Sequence, residues 1–102
     1  MKRVIGIIKP FCLDQVIEQL RGLPEGEIEV QEVRGFGRQK GHLELYSGKE
    51  YSISFLPKVR LEFVVEDARL DAALEAVTRG AHTGRIGDGK LFVLDLDVAA
   101  AP

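Results

Sequence analysis

The sequence is poor in the residues that most often carry catalysis, with one cysteine and two histidines among 102 residues. A single Cys12 cannot form an internal disulfide, and we expect it to pack as a small apolar residue at the start of a helix. His42 and His82 have neither a nearby nucleophile nor a metal-ligand spacing, and the carboxylates are scattered. We therefore expect no enzymatic activity.

The sequence also lacks long hydrophobic runs and an excess of positive charge. No stretch approaches the roughly 18 uninterrupted apolar residues of a membrane helix, and residues 1–6 begin a strand-like run instead of a signal peptide. We expect a cytoplasmic protein without membrane insertion. The net charge of -2 argues against nucleic-acid binding, which depends on cationic contacts to phosphates. With 45% apolar residues, the chain has the size of one domain, residues 1–102.

What the sequence does contain is a repeated pattern of strand, helix and strand. Two segments carry the apolar stripe of an amphipathic helix: Leu13, Val16, Ile17 and Leu20 in the first, and Leu70, Ala73, Leu74 and Val77 in the second. Strands are predicted at residues 4–8, 28–33, 59–65 and 91–98. This order predicts an α+β fold, the ferredoxin-like βαββαβ sandwich with two helices on a four-stranded antiparallel sheet.

Residues 37–56, between the second and third predicted strands, form a long loop without a helical stripe. Six large apolar residues make it too hydrophobic for a solvated linker: Leu43, Leu45, Tyr46, Tyr51, Ile53 and Phe55. One interpretation is a segment that contacts a partner protein. The other, equally supported by the pattern, is a β-hairpin extension that packs on its own domain or on a neighbouring subunit.

Two glycine-rich clusters are candidates for binding an anion. Residues 83–90 read Thr-Gly-Arg-Ile-Gly-Asp-Gly-Lys, and amides freed by Gly87 and Gly89 could form an anion-binding concavity beside Lys90. The spacing is not that of a Walker motif, and a tight turn into a strand is the simpler interpretation. Residues 34–40 read Arg-Gly-Phe-Gly-Arg-Gln-Lys and add three cations. Two such clusters, one in each repeat, could converge on a phosphate chain.

The start of the first cluster also copies the opening of an RNA-recognition motif, Arg34-Gly35-Phe36-Gly37. That motif needs aromatic residues on the third strand, where this sequence has Val59-Arg60-Leu61-Glu62. We keep RNA binding as a distant alternative.

Five blocks of residues are distinctive when taken together: Ile7-Ile8-Lys9-Pro10-Phe11, Glu32 through His42, Glu44-Leu45-Tyr46 with Glu50-Tyr51, Phe55-Leu56-Pro57-Lys58-Val59, and Thr83 through Lys90. These blocks resemble the PII nitrogen-regulatory proteins. They match in order and spacing from residue 1 to about residue 95. The resemblance implies a signal-transduction protein that binds ATP or ADP and 2-oxoglutarate and regulates nitrogen and carbon metabolism through its long loop.

The resemblance also implies roles for individual residues. The nucleotide would contact Ile7, Gly35, Phe36, Gly37, Arg38, Gln39, Glu62, Val64, Gly87, Asp88, Gly89 and Lys90. Glu62 would accept a ribose hydroxyl, and Gln39 would ligate a Mg²⁺ ion between the nucleotide phosphates and 2-oxoglutarate. That acid would contact Gly37, Gln39, Gly41 and Lys58. Tyr51 matches a tyrosine that is uridylylated in some members, whereas Lys49 replaces the serine that others have phosphorylated.

The resemblance further implies a homotrimer, in which Val64, Val93 and related apolar residues would cover the open face of the sheet. Targets would be a transporter or a nitrogen-metabolism enzyme. The family's usual basic tail with two arginines is not matched by residues 97–102, from which we expect a reduced preference for ATP over ADP and AMP. This leaves a second interpretation, a paralogue with altered ligand specificity, for AMP, ADP or another small anion, or without ligand control.

Overall fold

The computed structural model describes residues 1–39 and 52–97, which form four strands and two helices in the predicted order. The elements are β1 (Lys2–Ile8), α1 (Leu13–Gln19), β2 (Glu25–Gln39), β3 (Ser52–Val65), α2 (Leu70–Ala81) and β4 (Gly89–Asp95). A short 3-10 turn precedes each helix, at Pro10–Cys12 and Asp67–Arg69. All strand pairs are antiparallel, and the sheet order is β2-β3-β1-β4. The predicted ferredoxin-like βαββαβ sandwich is confirmed.

The core lies between the two helices and one face of the sheet. The predicted alternation of β3 is confirmed, because Val59, Leu61, Phe63 and Val65 are all buried. They pack in one cluster with Val4, Ile8, Cys12, Val16, Leu20, Ala73, Ala76, Val77 and Ala81. Cys12 occupies the buried position at the start of α1 that the sequence predicted. Both helices therefore pack on the same side of the sheet, although Ile17, predicted in the first stripe, is 39% exposed on the outer side of α1.

The two helices pack at unusually short range at Gly80 in α2. A methyl group built on Gly80 would lie 2.7 Å from the Cα atom and 2.8 Å from the amide nitrogen of Val16 in α1. These atoms belong to the backbone and cannot rotate away. Gly80 is thus required for this helix contact, a role that its place within a helical pattern did not reveal.

The predicted loop of residues 37–56 is wrong at both ends. β2 continues to Gln39 and β3 begins at Ser52, and the two strands pair through Gly37 with Ser54 and Gln39 with Ser52. The hairpin interpretation therefore holds for these flanks, and residues 40–51 lie outside the described residues. Apolar alternation could not locate this extension, because hydrogen bonds between backbones hold a two-stranded ribbon whatever its side chains.

The face of the sheet opposite the helices carries apolar and charged side chains together. Register places Ile5 and Ile7 of β1 on this open face, beside Phe92 and Lys90 of β4. Phe92 is 51% exposed and Leu94 39% exposed. Val93 was predicted on this face, but it pairs with the buried Val4 and so lies on the helix side. β4 is apolar at consecutive positions, so only its register with β1 decides which residues face which way.

β4 also begins earlier and ends earlier than predicted, at Gly89 and Asp95 in place of residues 91 and 98. In the described ranges, 1–39 and 52–97, no helix is both long and apolar enough to cross a membrane.

Candidate functional site

The segment between α2 and β4 is a closed turn built around the carboxylate of Asp88. One carboxylate oxygen, Oδ2, accepts hydrogen bonds from the amides of Thr83 (2.8 Å) and Gly84 (3.0 Å). The other, Oδ1, accepts from the Nζ atom of Lys9 (3.1 Å) and from the Thr83 hydroxyl. The carboxylate therefore ties both ends of the turn together and ties the turn to the end of β1.

Thr83 completes this hydrogen-bonding network. Its Oγ1 atom donates to Asp88 and accepts from Lys9 Nζ (3.2 Å) and from the Arg85 amide (3.3 Å). Gly84 and Gly87 have φ angles of 80° and 85°, which is the left-handed conformation that glycine adopts without strain. The glycines and the hydroxyl together explain why the segment closes in so few residues.

The hydrogen bonds of this turn change the acidity of Asp88. Those from the Thr83 hydroxyl and amide hold the pKa of the Asp88 carboxyl well below its usual range. Burial opposes the shift, while the bonds from Lys9 and the Gly84 amide add to it. The carboxylate is thus ionised throughout the neutral and mildly acidic range.

We expect the turn to remain closed on acidification to about pH 4, where an ordinary aspartate is already close to half protonated. A folded-state pKa below the unfolded value stabilises the folded protein above the unfolded pKa, and this contribution is lost only as the pH falls through the lower, folded value. NMR titration of the Asp88 carboxyl carbon measures this directly. Thr83→Val should raise the midpoint toward the ordinary value, and a wild-type midpoint near that value would contradict the assignment.

Lys58 connects β3 to the same turn. Its Nζ atom donates a hydrogen bond to the carbonyl oxygen of Gly87 at 2.7 Å. Gly35 of β2 lies beside it, since a methyl group built on Gly35 would be 3.9 Å from Cγ of Lys58. Residues 35, 58 and 87 come from three separate segments of the sequence. The structure therefore brings together predicted nucleotide and predicted 2-oxoglutarate residues at one end of the sheet.

Further predicted residues lie on the open face, at increasing distance from this end. Ile7 pairs with Lys90 and also with Arg60, whereas Val64 pairs with Arg3 near the opposite end of β1. Val64 lies four positions after Arg60 along β3, which corresponds to about 13 Å at ~3.3 Å per residue. Val64 is therefore well separated from Ile7 within one chain.

Glu62, the predicted ribose contact, lies between these positions and already forms ion pairs. Its carboxylate is 2.7 Å from Nη2 of Arg60 and 3.7 Å from Nε of Arg3. A ribose hydroxyl would share this carboxylate with the two arginines.

Several predicted roles lie outside the part of the chain described by the structure. These are Gly41, Tyr51, the tail after residue 97, and the side chains of Phe36, Arg38 and Gln39. For residues 36–39 the structure gives only the backbone, which pairs with residues 52–55 of β3.

The RNA-recognition interpretation loses its structural basis. Gly35 and Phe36 lie on β2, an edge strand, instead of β3. Across β1 and residues 56–65 of β3, the side chains on the open face are aliphatic or charged, and Phe63 is buried on the helix side. These positions offer no aromatic surface for stacking bases.

Sequence reasoning missed Lys9 and Thr83 as members of the site. Lys9 directly follows β1, and no sequence pattern connects it with residue 83 or 88. The position of β1 between β3 and β4 makes the contact possible. The available signal was indirect, namely a polar Thr-Gly start and an Asp-Gly end within one short loop.

The fold and the turn define a small α+β domain in which Lys9 and Lys58 bond to a glycine-rich turn. Comparison with known families agrees: the model of the family described as Nitrogen regulatory protein P-II matches residues 1–101.

Individual relatives are also close in sequence. The chain is 54% identical over 99 residues to the Nitrogen regulatory protein P-II of Rhodospirillum rubrum, covering 97% of this chain and 88% of that protein. It is 55% identical over 97 residues to the protein of the same name from Azospirillum brasilense and to that from Pasteurella multocida, covering 95% of this chain and 87% of each.

The chain belongs to the nitrogen regulatory protein P-II family. It is therefore a protein of signal transduction in nitrogen regulation. Membership in a family of regulators agrees with the expectation that the chain is not an enzyme.

Proposed function

We propose that the protein binds an adenine nucleotide, ATP or ADP, together with 2-oxoglutarate, and acts in the cytoplasm by contact with partner proteins without catalysing a reaction. The observation that carries this proposal is the hydrogen bond from Lys58 Nζ to the Gly87 carbonyl. It joins the residue proposed for the acid to the turn proposed for the phosphates. Signals from two ligands would therefore meet in one small region.

The charges around the turn suit anionic ligands. Lys58 and Lys90 contribute two ammonium groups, and the negative charge of Asp88 is compensated by Lys9 at 3.1 Å. Polyphosphate and a dicarboxylate bound side by side would repel each other, and a Mg²⁺ ion between them removes that repulsion. Gln39 is the protein ligand we assign to this ion, with the remaining oxygens coming from the two ligands. In residues 1–39 and 52–97 there is no group of three or more metal-ligating side chains.

Regulation would pass through the segment between β2 and β3. A methyl group built on Gly35 would be 3.9 Å from Cγ of Lys58, so this part of β2 lies next to the Lys58 side chain, and the same strand continues to Gln39 before residues 40–51. A change at Lys58 would therefore act close to the base of this segment. Its targets would be a transporter or an enzyme of nitrogen metabolism.

Calorimetric titration with ATP and ADP, with and without Mg²⁺ and 2-oxoglutarate, tests the proposal. We expect nucleotide binding by the wild-type protein and binding of 2-oxoglutarate that requires Mg-ATP. Lys58→Met should weaken 2-oxoglutarate binding by about tenfold to a hundredfold, because a charge-assisted hydrogen bond to a carboxylate is lost. Lys2→Met is the matched control, since Lys2 pairs with Asp95 at the other end of β1. Wild-type protein that binds no nucleotide would refute the proposal.

We also propose that the protein is a homotrimer in which the open faces of the sheets are covered. The separation of Val64 from Ile7 supports this, because a nucleotide cleft that uses both is more easily formed by two copies. Phe92→Asp places a charge on the open face and should produce monomers in sedimentation velocity. Ile17→Asp on the outer side of α1 is the control and should leave the assembly unchanged. A stable wild-type monomer at micromolar concentration would exclude the trimer.

A further inference from the structure

We infer that Lys9 and Asp88 form a latch that sets the shape of the phosphate-binding turn, so that the Asp88 carboxylate positions the groups that bind phosphate without contacting the phosphates itself. This inference rests on the proposed function for the ligand, but the latch itself is defined by geometry alone. It assigns the Asp88 side chain a positioning role and leaves the ligand contact predicted from the resemblance to the backbone of this residue. It also assigns a role to Lys9.

The first argument is that the Asp88 carboxylate has no acceptor capacity left. A carboxylate has about four lone-pair sites. Two donors occupy Oδ1, Lys9 Nζ and the Thr83 hydroxyl, and two occupy Oδ2, the Thr83 and Gly84 amides. A metal ion or ligand hydroxyl that bound here would have to displace one of them and open the turn.

The second argument concerns charge. An unpaired carboxylate next to a phosphate chain would repel it, yet Asp88 lies within the turn, directly before Gly89 of β4. Lys9 cancels this charge within a partly buried pair, in which the lysine and aspartate side chains are only 17% and 23% exposed. The charged side chains that remain on and beside the turn are then those of Arg85, Lys58 and Lys90, which favour an anion.

The third argument is that the latch occupies the backbone amides of only one half of the turn. The amides of Thr83 and Gly84 donate to Asp88, and that of Arg85 donates to Thr83. Within residues 1–39 and 52–97, no acceptor is assigned to the amides of Ile86, Gly87 and Asp88. The latch therefore fixes one half of the turn and leaves the half beside Lys58 for a ligand.

The test combines amide hydrogen exchange without ligand and calorimetric titration with ADP. We expect Asp88→Asn and Lys9→Met each to speed exchange at Thr83 and Gly84 and to weaken ADP binding by about tenfold, as expected for one charge-assisted interaction. The double variant should be no weaker than either single variant, because both break the same latch. Lys9→Arg keeps the charge and donors and should restore binding. Lys2→Met, which breaks the ion pair at the far end of β1, should change neither measurement.

Three outcomes would overturn the inference. One is unchanged exchange at Thr83 and Gly84 in Asp88→Asn. Another is a loss of ADP affinity in Asp88→Asn with none in Lys9→Met, which would mean that Asp88 contacts the ligand directly. The third is strictly additive losses in the double variant. Wild-type protein that binds no ADP would refute the proposed function, and the exchange measurement would still decide for or against the latch.

Discussion

Gly80→Ala is expected to destabilise the protein by about 3 kcal/mol, the upper part of the usual range for overpacking a core. The added methyl group would lie 2.7 Å from Cα and 2.9 Å from Cγ2 of Val16. A rotamer change can move the Cγ2 atom but not the backbone, so α1 and α2 must separate. Separation would expose part of the core that Val16, Ala76 and Val77 form between the helices and the sheet.

Helix propensity predicts the opposite sign for this substitution. In a helix without tertiary contacts, glycine is less favourable than alanine by about 1 kcal/mol, so Gly80→Ala would stabilise. Urea unfolding at one fixed protein concentration distinguishes destabilisation by the helix contact from stabilisation by helix propensity. The unfolding midpoints of the wild-type and Gly80→Ala proteins are compared at equal slope. Ala72→Gly, an exposed position of the same helix, is the control and should cost about 1 kcal/mol. A stabilised Gly80→Ala protein would mean that the helices are not in contact at this point.

Gly89→Ala is expected to destabilise the protein about as much as Gly80→Ala and to abolish nucleotide binding as well. Its methyl group would lie 2.4 Å from the carbonyl oxygen of Ile7, which belongs to the backbone of β1. The start of β4 must then move away from β1. Lys90 follows directly and pairs with Ile7, so the backbone that carries its side chain would move as well. We expect a loss of about 3 kcal/mol in stability.

Gly84→Ala is the matched control for this glycine, because it lies in the same turn and has a φ angle of 80° with no atom within 4 Å of the added methyl group. Only backbone strain destabilises this variant, and we expect it to lose about 1 kcal/mol of stability. Urea unfolding of both variants, with amide exchange along β4, distinguishes backbone strain from the steric clash between the methyl group at position 89 and the Ile7 carbonyl oxygen. Equal losses in the two variants would show that the approach of Gly89 to Ile7 has no energetic importance.

Much of the fold follows from the spacing of apolar residues along the chain. The stripes beginning at Leu13 and Leu70 predicted both helices, and the alternation of residues 59–65 predicted the buried face of β3. These patterns are informative because each element must bury one face, and burial of apolar area is the dominant favourable term in folding. This spacing says nothing about the proximity of Lys58 to Gly87 in the 83–90 turn.

Contacts between distant segments could not be predicted from the spacing of apolar residues. The face to which Val93 belongs depends on the register of β4, which is apolar on both sides. The extension of β2 to Gln39 depends on backbone pairing with β3, and the need for glycine at position 80 depends on how closely α1 approaches.

By itself, the sequence determined that this chain forms two βαβ units with one shared core, since apolar periodicity specifies which side of each element avoids water. Only the tertiary structure decided that Asp88 is held by Lys9 and Thr83 and that Lys58 reaches Gly87. A hydrogen bond forms only between groups held within about 3 Å of each other. Strand order and register set those distances, and neither is encoded in the local pattern around any one of the residues that meet at the turn.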